Sequence, residues 1–315
     1  MSVSRQAFTR AFALLVALFL ATTPAFPQGI TGTVTGTVKD SSGGVIPGAT
    51  VTLISQSRDL TSIPVTTNAS GDFVFPNVVA DTYTVQVELS GFRTLRRAGV
   101  EVSAGSTAGV GALTLEVGGT QEVVTVTSEA PVIQTASGER SFTVNTNQVA
   151  KLPLMNRSYD ALLALAPGVN STPGALTPAD RLGGGGGGNF MLDGATAMDP
   201  GVNRPASRVS VEAIAEVRLL TSGYQAEYGR SSGLQINAVT KSGTNKFLGA
   251  VYDVERKTRF NSIARLDKVN GDPKRTVDER DWGFALGGPV GNPGGSNKLF
   301  FYFNLEMNPR DRKST

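Results

Sequence analysis

The stretch TYTVQVELSGF at residues 82–92 alternates apolar and polar side chains and places Tyr83, Val85 and Val87 on one face of an extended chain. Such a period of two is typical of a half-buried β-strand. Shorter runs of the same pattern come before it, separated by turns: residues 33–38, 49–54, 64–67 and 73–75. Several short strands at this spacing predict a β-sandwich over residues 26–118.

Composition narrows the possible functions before any motif is considered. The 315 residues include no His and no Cys, and only 17% are charged. Most zinc sites, Ser-His-Asp triads and thiol chemistry need His or Cys, so we expect no enzyme, no metal site and no cofactor. The net charge of +3 arises in C-terminal residues where bases alternate with acids. This pattern indicates solvated loops and no nucleic acid as a partner.

The N-terminus has the features of an export signal. Arg5 and Arg10 come before an unbroken apolar run at residues 11–21, and small residues follow at Thr23 and Ala25. The run is shorter than the roughly 20 residues that a membrane-spanning helix needs. Residues 1–25 are therefore predicted to be a cleaved signal peptide, with an uncleaved anchor as the alternative.

Three segments of the predicted sandwich resemble the carboxypeptidase regulatory-like domain, which has a transthyretin-like fold. They are GTVKDSSGGVIPGATVTL at residues 36–53, TNASGDFVFPNV at 67–78 and TYTVQVELSGF at 82–92. Asp81 stands where that family usually has Gly. The resemblance implies a fold and no peptidase activity, since the zinc centre of such peptidases needs His.

Residues 226–245 contain AEYGRSSG, QIN and TKSGTN, and they resemble the end of the plug domain in TonB-dependent outer-membrane receptors. LPLMNRSYDALLALAPGV at 152–169, NFMLDG at 189–194 and VEAIAEVR at 211–218 are similar to earlier plug segments, in the same order. The resemblance implies an α+β plug over residues 137–242, with a short helix near Leu162. It assigns these plug-motif residues: Arg157, Asp193, Gly194, Glu216, Glu227, Tyr228, Gly229, Arg230 and Asn237.

Charged residues in this region have two possible roles. Glu212, Glu216 and Glu227, with Arg218 and Arg230, could supply paired catalytic carboxylates. We interpret them instead as buried or interfacial ion pairs that hold the plug to a barrel, because no base, metal or nucleophile accompanies them. The six glycines at residues 183–188 match a phosphate-loop pattern formally. No strand comes before them and no helix follows, so a flexible loop is expected.

The connecting segment at residues 119–136 contains EVVTVT, a β-branched run at residues 122–127. One interpretation is a further edge strand of the sandwich. The other is a TonB box, the short segment through which the inner-membrane protein TonB engages such receptors. An exposed extended strand can add to another protein's sheet through backbone hydrogen bonds. The candidate TonB box consists of Glu122, Val123, Val124, Thr125 and Val126.

Apolar and polar residues alternate again in three C-terminal stretches, which begin near residues 246, 282 and 299. Strands of transmembrane β-barrels are apolar towards lipid and polar inside, and we expect Tyr252, Phe284 and Phe303 to face lipid. Three strands leave unpaired backbone groups at their edges, which a membrane does not tolerate. Residues 243–315 are therefore expected to be the start of a barrel, in a fragment or a truncated gene product.

The expected fold is mainly β: a transthyretin-like β-sandwich, an α+β plug, and about three strands of an incomplete transmembrane β-barrel. The resemblance implies the N-terminal part of a TonB-dependent receptor for an unidentified external nutrient, in the cell outer membrane, with sandwich and plug on the periplasmic side. Expected partners are TonB, outer-membrane lipid and an unknown extracellular ligand. The alternative is a secreted periplasmic β-sandwich, an interaction or carbohydrate-binding module with a remnant plug.

Overall fold

The structure is a computed structural model. It describes residues 31–118, 123–126, 138–151, 157, 159, 162, 166–167, 188–199, 204–206, 209–224, 228, 233–274 and 276–309. Within these residues, no helix has the length and apolarity needed to cross a membrane. The predicted signal peptide and most of the glycine run lie outside them.

The N-terminal unit is a β-sandwich of two sheets. Its strands are β1 (Thr31–Asp40), β2 (Thr50–Ser55), β3 (Val65–Thr66), β4 (Asp72–Val79), β5 (Asp81–Glu88), β6 (Thr94–Val102), β7 (Thr107–Leu115) and β8 (Val123–Val126). One sheet has the order β4-β1-β7 and the other β3-β2-β5-β6-β8. Strands β1 and β7 pair in parallel, as do β6 and β8. The predicted sandwich is confirmed.

Alternation along the strands produces the sandwich core. Val85 and Val87 are fully buried, and the rings of Phe73 and Phe75 pack edge to face with centroids 6.0 Å apart. The Tyr83 ring is buried, and its hydroxyl donates a hydrogen bond to the Val79 carbonyl at 2.9 Å. Burial raises the pKa of Tyr83 to about 12. The inward face predicted from the sequence is therefore the core.

Short polar side chains close the turns between these strands. The Asp40 carboxylate accepts hydrogen bonds from the amides of Ser42 and Gly44, both at 2.8 Å, and hydrogen bonds to Ser42 and Gly44 hold its pKa below the usual value. Gly71 has a φ of +74°, and a Cβ there would lie 2.7 Å from the Val38 carbonyl oxygen. Only glycine fits this turn without strain.

Asp81, which departs from the family pattern, has a structural role at the start of β5. Its carboxylate accepts hydrogen bonds from the hydroxyls of Ser55 at 2.5 Å and Ser57 at 2.6 Å. These contacts join the start of β5 to the end of β2 and to the loop that follows β2. The replacement of glycine by aspartate therefore adds side-chain contacts at this corner.

The second unit is built around a five-stranded mixed sheet. Its strands are β9 (Arg140–Val144), β10 (Asn189–Leu192), β11 (Ala195–Thr196), β14 (Ile214–Ser222) and β15 (Gln235–Thr240), in the order β11-β10-β15-β14-β9. The short strands β12 (Met198–Asp199) and β13 (Arg204–Pro205) form a separate pair. A helix at Thr146–Lys151 and a 3-10 turn at Val211–Ala213 accompany the sheet.

This unit has its own core beside the sheet. Leu162, Ile214 and Ile236 are fully buried, and the Tyr159 ring packs edge to face against Phe190. The helix expected near Leu162 falls mostly on residues outside the described part of the chain. The helix at Thr146–Lys151 was not expected from the sequence.

The third unit is a sheet of three long antiparallel strands, β16 (Leu248–Lys257), β17 (Asp278–Pro289) and β18 (Phe300–Met307). A 3-10 turn at Thr258–Phe260 and a helix at Arg265–Asn270 lie in the long connection between β16 and β17. The connection between β17 and β18 is short.

Strand register corrects the predicted lipid-facing set. Val251 pairs with Phe284, and Phe284 pairs with Leu305. Phe284 also contacts Phe303 at a centroid distance of 5.7 Å, so these apolar residues share one face. Tyr252 lies on the other face, where it contacts the plug, so its prediction as a lipid-facing residue was wrong. Alternation defines two faces but does not say which one has a protein neighbour.

Candidate functional site: the plug and its two interfaces

The Asp193-Gly194 turn of the predicted plug motif fixes the end of a central strand. Both residues have positive φ, +49° and +79°. The Asp193 carboxylate accepts hydrogen bonds from the backbone amide and the hydroxyl of Thr240, both at 2.8 Å. The turn after β10 is thereby tied to the end of β15, the last strand before the barrel segment. These two residues organise the sheet.

The AEYGRSSG segment is described only at Tyr228 and Gly233. Tyr228 is buried, its carbonyl accepts a hydrogen bond from the Gln235 amide nitrogen at 2.9 Å, and its ring packs against Tyr224. Asn237 is buried in β15. The other predicted residues of this segment, Glu227, Gly229 and Arg230, lie outside the described part of the chain.

A polar cluster joins the mixed-sheet unit to the face of the β16–β18 sheet that carries Tyr252. Arg157 contacts the Glu212 carboxylate at 3.2 Å and the Glu306 carboxylate at 3.7 Å, and its guanidinium lies 4.4 Å from the centre of the Tyr252 ring. The Ser210 and Tyr252 hydroxyls both donate to one Glu306 oxygen, at 2.6 and 2.7 Å. Arg157 and Ser210 thus share the Glu306 carboxylate of β18 with Tyr252 of β16, across the intervening strand β17.

Two further contacts extend this cluster. The Tyr302 hydroxyl donates to the Glu212 carbonyl at 2.7 Å, and the Lys241 ammonium lies 3.9 Å from the Glu212 carboxylate. Burial lowers the pKa of Lys241, and Glu212 partly opposes that shift. Both ion-pair partners of Glu212, Arg157 and Lys241, belong to the same unit as Glu212 itself. Its contact with β18 is therefore the hydrogen bond from Tyr302 to its carbonyl, and not the predicted ion pair to a barrel.

Glu216 and Arg218 face the sandwich instead of the barrel strands. The Glu216 carboxylate accepts a hydrogen bond from the Ala104 amide at 2.8 Å. Arg218 donates to the Ala104 carbonyl at 3.0 Å and pairs with Glu139 at 2.8 Å. Their expected role as plug-to-barrel contacts was therefore wrong, because the loop after β6 lies against this part of β14.

Burial determines the electrostatics of the interface between plug and sandwich. Only 3% of the Arg218 side chain and 5% of the Glu139 side chain are exposed. Desolvation raises the pKa of Glu216, while its hydrogen bonds to Ala104 and Ser103 lower it and offset only part of the shift. The plug therefore contacts the sandwich through buried charged groups that have specific partners.

Asn245, the last residue of TKSGTN, joins the sandwich to the turn between β17 and β18. Its backbone amide donates to the Ser57 carbonyl at 2.9 Å, and its side-chain amide nitrogen lies 3.2 Å from the Asp59 carboxylate. The same nitrogen donates to the Gly295 carbonyl at 3.0 Å, and Asn297 donates to its side-chain oxygen at 2.7 Å. The sequence pattern placed Asn245 in a motif but did not indicate this role.

The candidate TonB box is described at Val123–Val126, and Glu122 lies outside the described residues. Val123–Val126 form β8 and pair in parallel with Thr94–Arg97 of β6. The structure thus places this segment at the edge of the sandwich, one of the two interpretations that the sequence left open. Its role as a TonB box stays a prediction.

Metal chemistry has no visible basis in the part of the chain that the structure describes. No group of three or more His, Cys, Asp or Glu residues there could hold a metal ion. The buried carboxylates instead accept hydrogen bonds or pair with arginine. These contacts can hold the units together.

Comparison with known proteins agrees with this arrangement. Residues 33–116 match the carboxypeptidase regulatory-like domain, and residues 239–315 match an outer membrane beta barrel domain. The TonB-dependent transporter Oar of Myxococcus xanthus is 28% identical over 298 residues, which are 88% of this chain and 26% of that protein. This chain resembles TonB-dependent transporters. It spans about a quarter of the length of this curated relative.

Solved structures of two outer-membrane proteins are also similar. The siderophore receptor PirA of Acinetobacter baumannii is 21% identical, with a TM-score of 0.39 over 53% of this chain and 24% of that one. The outer membrane transporter YddB of Escherichia coli is 17% identical, with a TM-score of 0.36 over 48% of this chain and 24% of that one. Neither TM-score is high enough to establish a shared fold. The barrel-domain match and the transporter relative place the chain in the cell outer membrane.

Proposed function

We propose that this chain is the N-terminal part of a TonB-dependent receptor that takes up an external nutrient. In this proposal, residues 1–25 are a signal peptide, 26–118 the sandwich, 119–136 a linker with the TonB box, 137–242 the plug and 243–315 the start of the barrel. Outer-membrane lipid contacts the barrel strands, and TonB engages the linker. Similarity to a transporter and to barrel-domain proteins supports an outer-membrane transporter, and transport without catalysis fits both.

The contact between the mixed sheet and the inner face of β16–β18 carries this proposal. Arg157 and Ser210 of the plug both reach Glu306 of β18. A domain that closes a barrel must touch the lumen side of its wall, and polar contacts suit a lumen that opens to water. The opposite face of the same strands presents Val251, Phe284 and Phe303, which suits lipid.

Gating follows from the nature of these contacts. The cluster around Glu306 is polar and partly exposed, so water can replace its hydrogen bonds when the plug moves. A purely apolar interface of the same size would resist separation, because its surface would have to be exposed to water. A force applied through the linker could therefore displace the plug.

Binding of TonB to the linker tests the proposal. A peptide of residues 118–131 is titrated with the periplasmic domain of TonB, alongside the variants Val124→Pro and Val124→Thr. Strand addition uses backbone N–H groups, which proline lacks. We therefore expect the Val124→Thr peptide to bind like wild type and the Val124→Pro peptide to bind weakly.

Equal affinities of the wild-type and proline peptides would remove the TonB-box assignment. The sandwich and the packing of the plug against the barrel strands would stand, because neither depends on this segment.

A further inference from the structure

The edge of β6 already holds the segment that TonB would have to bind. Val123–Val126 pair with Thr94–Arg97, with Val123 opposite Thr94 and Val126 opposite Arg97. On its other side β6 pairs with β5. β8 is therefore the outermost strand of a five-stranded sheet.

β6 is also the strand that the plug contacts. The loop after β6 contains Ala104, whose amide and carbonyl bind Glu216 and Arg218 of β14. Gly105 follows with a φ of +65°, and a Cβ there would lie 2.8 Å from the Tyr228 hydroxyl. One end of β6 thus leads into the plug interface, and the other end holds the candidate TonB box.

We propose that the sandwich sequesters the TonB box as its edge strand, so that β6 and TonB compete for it. This inference rests on the proposed function of residues 122–126. In a parallel pair, each strand offers backbone groups to its neighbour, and strand addition by TonB uses groups of the same kind. A short strand whose backbone is paired with β6 is less available to TonB than the same segment when it is free.

Competition reduces the apparent affinity for TonB. The apparent affinity equals the affinity of the released strand multiplied by the fraction of molecules in which the strand is released. The free 118–131 peptide has no β6 to compete with and should bind TonB more tightly than the full chain does. Movement of the plug against the loop at Ala104 would shift β6 and alter this fraction. The sandwich would then limit energy coupling, because it keeps the TonB box away from TonB.

A reversible crosslink tests the inference in the receptor of which this chain is proposed to be the N-terminal part, held in outer-membrane vesicles. The protein has no Cys, so Arg96→Cys with Thr125→Cys creates a single pair at opposed positions of β6 and β8. Neighbouring strands lie about 4.8 Å apart, within the Cα separation of a disulfide. The matched control is Gln86→Cys with Thr125→Cys, because Gln86 lies opposite Arg96 on β5, one strand further from β8.

We expect the first pair to crosslink on mild oxidation and the control pair to stay reduced. The oxidised first pair should bind the periplasmic domain of TonB at least about tenfold more weakly than the same protein after reduction. Since one protein is compared in two redox states, any effect of the substitutions themselves on the affinity cancels.

Two results would overturn the inference while the TonB box survives. One is failure of the first pair to crosslink. The other is a crosslink that leaves the affinity unchanged, which would mean that TonB adds to the outer edge of β8 without displacing it. Failure of both the reduced protein and the 118–131 peptide to bind TonB would instead refute the box assignment, and the inference with it.

Discussion

Removal of the Arg218 guanidinium should loosen the plug at its contact with the sandwich. Arg218 is 2% exposed and pairs with Glu139 at 2.8 Å while donating to the Ala104 carbonyl at 3.0 Å. Arg218→Ala leaves the Glu139 carboxylate buried without its partner. It also removes a hydrogen bond that joins β14 to the sandwich.

The magnitude follows from the cost of an unpaired buried charge. Breaking a buried ion pair by removing one partner costs about 3–5 kcal/mol, whereas replacing both partners by neutral groups costs far less. Arg218→Ala should therefore destabilise β9 and β14 by about 3–5 kcal/mol. The double variant Arg218→Met with Glu139→Gln should regain most of that loss. Glu116→Ala, which removes an exposed partner of Arg93, should cost about 1 kcal/mol or less.

Hydrogen exchange measured by mass spectrometry provides the assay, because it reports local opening free energies strand by strand. Peptides from β9 and β14 should exchange faster in Arg218→Ala, and peptides from β2 and β5 of the sandwich core should be unchanged. If Arg218→Ala costs less than about 1 kcal/mol, or if the double variant is as unstable as the single one, the buried pair is not what stabilises β9 and β14.

Three further predictions concern the sandwich core, the buried carboxylate and the barrel strands. Phe73→Ala should lower the stability of the isolated sandwich, residues 26–118, by about 3–5 kcal/mol in thermal melts. Burial raises the pKa of Glu216 above its ordinary 4.5, so the protection of β14 should weaken as pH rises above 4.5, and Glu216→Gln should flatten that dependence in hydrogen exchange. Isolated 26–315 should sediment as aggregate, whereas 26–242, which lacks the exposed apolar face, should stay soluble.

Local pattern was sufficient to predict the sandwich. A period of two placed Tyr83, Val85 and Val87 inside, and the structure buries all three. The turn at Asp40 could also be expected, because Asp, Ser and Gly favour closed turns through their own hydrogen bonds. Each of these features depends on residues close together in the sequence.

Features that depend on distant residues could not be predicted in the same way. Tyr252 lies on an alternating strand, but its orientation is decided by Arg157 and Glu306, which meet it only in the folded chain. The neighbours of Glu216 and Arg218 are likewise set by Ala104, more than 100 residues earlier. Charge alone indicated interfacial roles and could not say which interface.

Asn245 shows the same limit at the junction of the sandwich and the third unit. An asparagine in a glycine-containing loop predicts a turn, whereas its contacts with Asp59 and Asn297 arise from three chain segments that meet in the fold. Substitution by aspartate would keep the shape but lose the donor that reaches Asp59 and Gly295. The role of this residue is therefore visible only in the structure.

Fractionation of host cells tests the central claim most directly. An antibody against the sandwich follows the protein through separation of periplasm, inner membrane and outer membrane, with urea extraction of the membrane fractions. Our account predicts that the receptor to which this chain belongs sediments with the outer membrane and resists urea, because its barrel strands lie in the bilayer. Recovery in the soluble periplasmic fraction would contradict the account and favour a secreted β-sandwich module.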